Sequence, residues 1–147
     1  MITVRDLLKG KGNDIWSVGP EDVVLKALNL MVEKDIGALV VLENDKLRGI
    51  VSERDFVRSI AESERCLIEA PVSKYMTKVV ITVEPDQSSD DCMRIMTEKH
   101  IRHLPVVENG RVIGVISIGD VVKADIAAKA STIDTLENYI EGRGFGH

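Results

Sequence analysis

Two four-residue stretches have the residue types and spacing to do chemistry: Ser52-Glu53-Arg54-Asp55 and Ser117-Ile118-Gly119-Asp120. Each closes a longer pattern, GIVSERD from Gly49 and GVISIGD from Gly114. A carboxylate is acceptor-only and can take both hydroxyl protons of a cis-diol such as a ribose. The serine hydroxyl adds a contact to sugar or phosphate, and the preceding glycine allows close backbone approach. The same spacing has a purely structural meaning. Serine three residues before an acid, at a strand-to-helix junction, resembles a capping box, and the acid suits the positive helix end.

The stretches must be positioned by repeated elements. A shift of sixty-five residues aligns Val18–Arg58 with Val83–Lys123 without a gap, superposing Pro20 on Pro85, Met31 on Met96 and Gly49 on Gly114. Internal repetition at this scale indicates a duplicated unit of about 60 residues. Each copy begins with an extended piece, Ile15–Val18 or Val80–Val83. An amphipathic helix follows: Val24, Ala27, Leu28 and Met31 lie at i, i+3, i+4, i+7, and Ser89, Cys92, Met93 and Met96 take the same places. Two apolar strands come next, Leu39–Leu42 with Leu47–Val51 and Leu104–Val107 with Val112–Ile116; Asn109-Gly110 is a strong hairpin signal. A second helix opens after each serine.

The unit is therefore β-α-β-β-α. The expected fold is α/β (α+β), with two such repeats packed sheet to sheet about a pseudo-two-fold axis. The expected boundaries are 1–65 for the first repeat and 66–130 for the second, with the segment Ala61–Ser73 joining the copies. A C-terminal helix and tail occupy 131–147, where Ser131 is a plausible N-cap for an apolar stripe of Ile133, Leu136 and Ile140. The terminal GRGFGH is expected to be mobile.

These two units resemble a pair of CBS domains, the modules named after cystathionine β-synthase. The resemblance rests on IGALVVLENDKLRGIVSERDFVR and HIRHLPVVENGRVIGVISIGDVVK and covers roughly Met1 to Asp125. It implies two clefts between the copies that bind adenosine-containing ligands: AMP, ADP, ATP, NAD or S-adenosylmethionine. It assigns ribose to Asp55 and Asp120, with Ser52 and Ser117 beside them. Backbone around Gly37-Ala38-Leu39 and Arg102-His103-Leu104 is expected to meet adenine, and Trp16, Val80 and Thr82 to line the clefts. Arg102, a permanent cation, and His103, which varies with pH, are candidate phosphate contacts of the second copy; Arg54 is that of the first. Each has a plain structural alternative: a solvated strand end for Arg102 and His103, core packing for Trp16, an exposed first-turn residue for Arg54.

Composition narrows the classes. The 147 residues are 44% hydrophobic and 29% charged, a globular balance with a net charge of −5. That charge argues against nucleic acid as the main partner. Aromatics make up only 3%, so the core must be aliphatic. No apolar run is long enough to span a bilayer, and MITVRDLLKG lacks a signal-peptide core, so neither a membrane nor export is expected. Cys66 and Cys92 have no metal or disulfide spacing; reduced thiols and a cytoplasmic location are the simplest reading. His100-x-x-His103 lacks a third metal ligand. There is no Ser/His/Asp arrangement and no GxxxxGK[ST] loop. Glu84, Asp86, Asp90 and Asp91 cluster where carboxylates favour a helix start.

The leading expectation is a regulatory module, not an enzyme. It needs no cofactor or metal, takes an adenine nucleotide as regulatory ligand, forms a homodimer through aliphatic helix faces and acts on an unidentified protein. The alternative is a ligand-free structural or interaction module whose Ser-x-x-Asp pairs only cap helices.

Overall fold

The structure is a computed structural model and describes residues 1–12, 14–65 and 68–140. Cys66 and the glycine-rich 142–147 lie outside the described residues. The first repeat runs β1 (Ser17–Val18), α2 (Val24–Lys34), β2 (Ala38–Glu43), β3 (Lys46–Ser52) and α3 (Glu53–Ser63). The second runs α4 (Ser89–Lys99), β4 (His103–Glu108), β5 (Arg111–Ser117) and α5 (Ile118–Ile140). Before both stands α1 (Val4–Lys11), an element the repeat does not predict.

The duplication holds down to register. Ala38 pairs with Ser52 and Val41 with Gly49; sixty-five residues on, His103 pairs with Ser117 and Val106 with Gly114. Both hairpins shift register at the same place, after Val41 and after Val106. Their two-residue turns have positive φ at both positions, 51° and 62° at Asn44-Asp45 and 53° and 78° at Asn109-Gly110. That is the turn whose twist matches antiparallel strands. One expected strand is corrected. β1 lies parallel to β2, but Val80–Val83 forms no strand and contributes only a single parallel bridge, Val83 to Val106.

The cores are aliphatic, and each is completed by chain from outside its own repeat. Val4, Leu7 and Leu8 of α1 pack with Val83, Cys92, Met96, Leu104, Val106 and Ile116 of the second repeat. Thr3 bridges to Ser88, and the Val4 N–H donates to the Gln87 carbonyl at 2.8 Å. Conversely Val72, in a 3-10 turn at Val72–Lys74, packs with Val18, Leu39, Val51 and Phe56 of the first repeat. The Val24 N–H donates to the Ala70 carbonyl at 2.9 Å. The segment preceding each repeat thus closes the core of the other, which ties the two units together.

This exchange explains the repeated glycine. A Cβ on Gly114 would lie 2.5 Å from Leu8 Cδ2, and one on Gly49 would lie 2.7 Å from Met76 Sδ. The two glycines make room for side chains of the exchanged segments.

The expected helix break at Ser131 is also corrected. α5 continues unbroken through it, and the Ser131 carbonyl also accepts from the Thr135 side-chain hydroxyl one turn on. Ser131 therefore caps nothing. Ile133 and Leu136 are exposed, and the Ile140 side chain lies outside the described residues.

Candidate functional site

Both Ser-x-x-Asp stretches sit where a strand gives way to a helix. Ser52 is the N-cap of α3: the Asp55 N–H donates to Ser52 Oγ at 3.3 Å, and Asp55 Oδ2 accepts from the Ser52 N–H at 2.9 Å and the Ser52 hydroxyl at 3.0 Å. Ser117 and Asp120 make the same reciprocal pair at the start of α5, at 3.1 and 2.8 Å. The first residue of each helix donates to the chain just before the middle strand, Glu53 N–H to the Gly37 carbonyl and Ile118 N–H to the Arg102 carbonyl. The capping role is therefore real. In both carboxylates the bonds fall on Oδ2; Oδ1 accepts none among the described residues.

Each aspartate faces its own cleft between the repeats. The first, about 440 Å³, is lined by Ser52, Arg54, Asp55, Val80 and Arg102 among others. The second, about 380 Å³, is lined by Trp16, Ser117 and Asp120 among others. Gly37, Ala38 and His103 line both and form the wall between them. Gly37 faces His103 closely: a Cβ there would stand 3.4 Å from the imidazole, in van der Waals contact with it. Where one repeat has the small pair Gly37-Ala38, the other has Arg102-His103, of which His103 stands on the shared wall and Arg102 lines the Asp55 cleft.

Ten of the eleven residues singled out from the sequence line one cleft or the other. Thr82 does not; it is solvent-exposed and lines neither. Leu39 and Leu104 are fully buried core. Trp16 serves both readings, packing on the first core while lining the second cleft, with Lys34 Nζ 4.2 Å from its ring centroid. Arg102 lies in the cleft of Asp55, not of its own repeat's Asp120.

The sequence reading missed Lys11. It lies at the end of α1, and its Nζ donates to Asp120 Oδ2 at 2.8 Å and to the Val115 carbonyl at 2.6 Å. Thr3-Val4-Arg5-Asp6, a third hydroxyl-x-x-Asp stretch with its own complete capping box, was the available signal for the helix that carries it. Burial by itself pushes the Asp120 carboxyl up. The Lys11 hydrogen bond and charge, with the Ser117 N–H, outweigh it and hold the group below the usual carboxylate value. His103 moves below the ordinary imidazole value, first through burial and then through the charges of Lys11 and Arg102, against the pull of Asp120. Among the described residues no group of three His, Cys, Asp or Glu side chains is placed to hold a metal ion.

The CBS-domain family profile matches residues 4–62 and 72–127, one repeat each. The chain belongs to the CBS-domain family. It is 35% identical to the CBS domain-containing protein CBSX3, mitochondrial, of Arabidopsis thaliana over 95% of this chain and 72% of that protein. It resembles the crystal structure of the CBS-domain containing protein ATU1752 from Agrobacterium tumefaciens, with a TM-score of 0.80 and 42% identity over 84% of this chain and 98% of that one. It also resembles CBSX2 in complex with AMP, with a TM-score of 0.72 and 29% identity over 88% and 99% of the two chains. The mixed α/β pair of repeats is thus the CBS-pair fold.

Proposed function

We propose that this CBS pair is a regulatory module that binds an adenosine-containing ligand between its repeats and signals through their relative orientation. The observation that carries this is the Asp55 cleft. A carboxylate with one free oxygen stands at a helix N-terminus, and Arg54, Arg58, Lys99 and Arg102 line the same cleft. The diol of a ribose and the phosphate of a nucleotide are the complementary groups. CBSX2 was solved with AMP, and this chain shares its fold and 29% of its residues. The ligand class spans AMP, ADP, ATP, NAD and S-adenosylmethionine. We read the module as non-catalytic and place it in the cytoplasm, a reducing compartment that suits the buried free thiol of Cys92.

We further propose a homodimer. Val57 and Ile60 on α3, and Ile118, Val122 and Ile126 on α5, are exposed apolar side chains at helical spacing, and Val57 and Val122 are repeat-equivalent. A second copy covering these faces would transmit a change in repeat orientation. The regulated protein is a separate partner.

The test is thermal unfolding of nucleotide-stripped protein with AMP, ADP, ATP, NAD and S-adenosylmethionine. Ligand at about 100 times its dissociation constant adds about 2.7 kcal/mol, a midpoint rise of about 5–11 °C for a chain of this size. The rise should vanish with Asp55→Ala. No rise with any ligand would leave the second reading, a structural module, which the capping boxes at Ser52, Ser117 and Thr3 favour.

A further inference from the structure

The two clefts carry opposite charge, although they are built from equivalent parts. The Asp55 cleft is lined by Arg54, Arg58, Lys99 and Arg102 against Glu53 and Asp55. Among the described residues, the Asp120 cleft is lined by Lys11 as its one Lys or Arg, against Asp14, Asp35 and Asp120. The reversal is made position by position. The repeat-equivalent of Arg54 is Gly119, and that of Arg102 is Gly37. Lys123 matches Arg58 but does not line the Asp120 cleft. Lys34 matches Lys99, but it lies over the Trp16 ring and 3.6 Å from Glu33. Asp14 and Asp35 stand where the other cleft has Val79 and His100.

The cations differ in availability too. None of Arg54, Arg58, Lys99 and Arg102 makes an ion pair among the described residues. Lys11, in contrast, spends hydrogen bonds on Asp120 and on the Val115 carbonyl. Charges lining one cleft lie within about a Debye length of its ligand at physiological salt, so they act together.

We infer that the two clefts sort ligands by charge: a phosphate-bearing nucleotide enters only the Asp55 cleft, and the Asp120 cleft takes an adenosine-type ligand without phosphate. This rests on the proposed adenosine-binding function and adds which cleft takes which ligand.

The experiment is calorimetric titration of the full chain with AMP, and then with adenosine at saturating AMP. One AMP per chain is expected, with adenosine still binding to a second site that Asp120→Asn removes. Arg54→Gln with Arg102→Gln should lower the preference for AMP over adenosine about tenfold or more, the size of effect that loss of close charge partners produces. Gly119→Arg with Asp35→His, which carries the Asp55-cleft residues across, should admit a second AMP. Two AMP molecules per chain of equal affinity in the unaltered protein would overturn the inference. So would AMP binding lost with Asp120→Asn but kept in the double arginine variant. If neither AMP nor adenosine binds at all, the proposed function itself fails, a result distinct from both.

Discussion

Lys11 Nζ lies 2.8 Å from Asp120 Oδ2, joining the last turn of α1 to the first turn of α5 across more than a hundred residues of chain. The pair ties the exchanged N-terminal helix to the capping carboxylate at the start of α5. It couples the lining of the Asp120 cleft to α1, which completes the core of the second repeat.

Lys11→Met should leave only the Ser117 bonds to oppose burial at Asp120 and raise its carboxyl pKa. The sign follows. A carboxyl held low in the folded state contributes stability above its unfolded pKa and loses it as pH falls through the folded value. Without Lys11 that contribution shrinks to what the Ser117 bonds supply. Both side chains are partly exposed, which limits the loss near pH 7 to about 1 kcal/mol. A carbon-13 NMR titration of the Asp120 carboxyl reads the shift; an unchanged titration would mean the pair has no electrostatic consequence.

The repeated glycines give a prediction about packing. Gly49→Ala and Gly114→Ala should each destabilise by about 1–3 kcal/mol, the cost of overpacking. Gly49→Ala should cost more. Its Cβ would stand 2.9 Å from the Thr77 carbonyl oxygen, which is fixed by paired backbone bonds with Ile50. At Gly114 the clash is with Leu8 Cδ2, the end of a side chain that can rotate. Chemical denaturation of both variants decides the order, and Leu8→Ala combined with Gly114→Ala should recover part of the loss.

The capping boxes yield a matched pair of substitutions. Ser52→Ala and Ser117→Ala each remove an N-cap acceptor and should cost about 1 kcal/mol, a midpoint fall of about 2–4 °C. The cost should persist in the absence of any ligand. An unchanged midpoint would show that the reciprocal bonds to Asp55 and Asp120 add nothing to stability.

The repeats, hairpins and helices flanking the clefts were legible because each is a local pattern: period 3.6 at Val24 to Met31, Asn-Gly at a turn, Ser-x-x-Asp after a strand. The lack of a strand at Val80–Val83 was not, because equivalent sequence pairs as a strand in the first repeat and as a single bridge in the second. Ser131 misled because a capping residue is tolerated inside a helix that continues past it. Lys11, the exchange of α1 and the purpose of Gly49 and Gly114 depend on contacts between segments far apart in sequence. No local window contains them, although Thr3-x-x-Asp6 ahead of Leu7 and Leu8 announced the helix itself. The same distance hid the placement of Arg102 in the Asp55 cleft, since that cleft draws its walls from both repeats.

His103 sits on the wall shared by the clefts, so its protonation is felt on both sides. Burial, with Lys11 and Arg102, depresses its folded pKa below the ordinary 6.5, although Asp120 pulls the other way. The unfolded chain therefore takes up this proton first as the solution is acidified. Across the window between 6.5 and the lower folded value, the unfolded state holds more protons and stability falls with falling pH; below the folded value the loss from this group is complete. His103→Gln keeps a polar side chain but cannot titrate. Its unfolding midpoint should decline less between pH 7.5 and pH 5 than that of the unaltered protein, when both are measured without ligand. Equal declines would mean that acid sensitivity in this range arises elsewhere and that the imidazole on the shared wall is not its source.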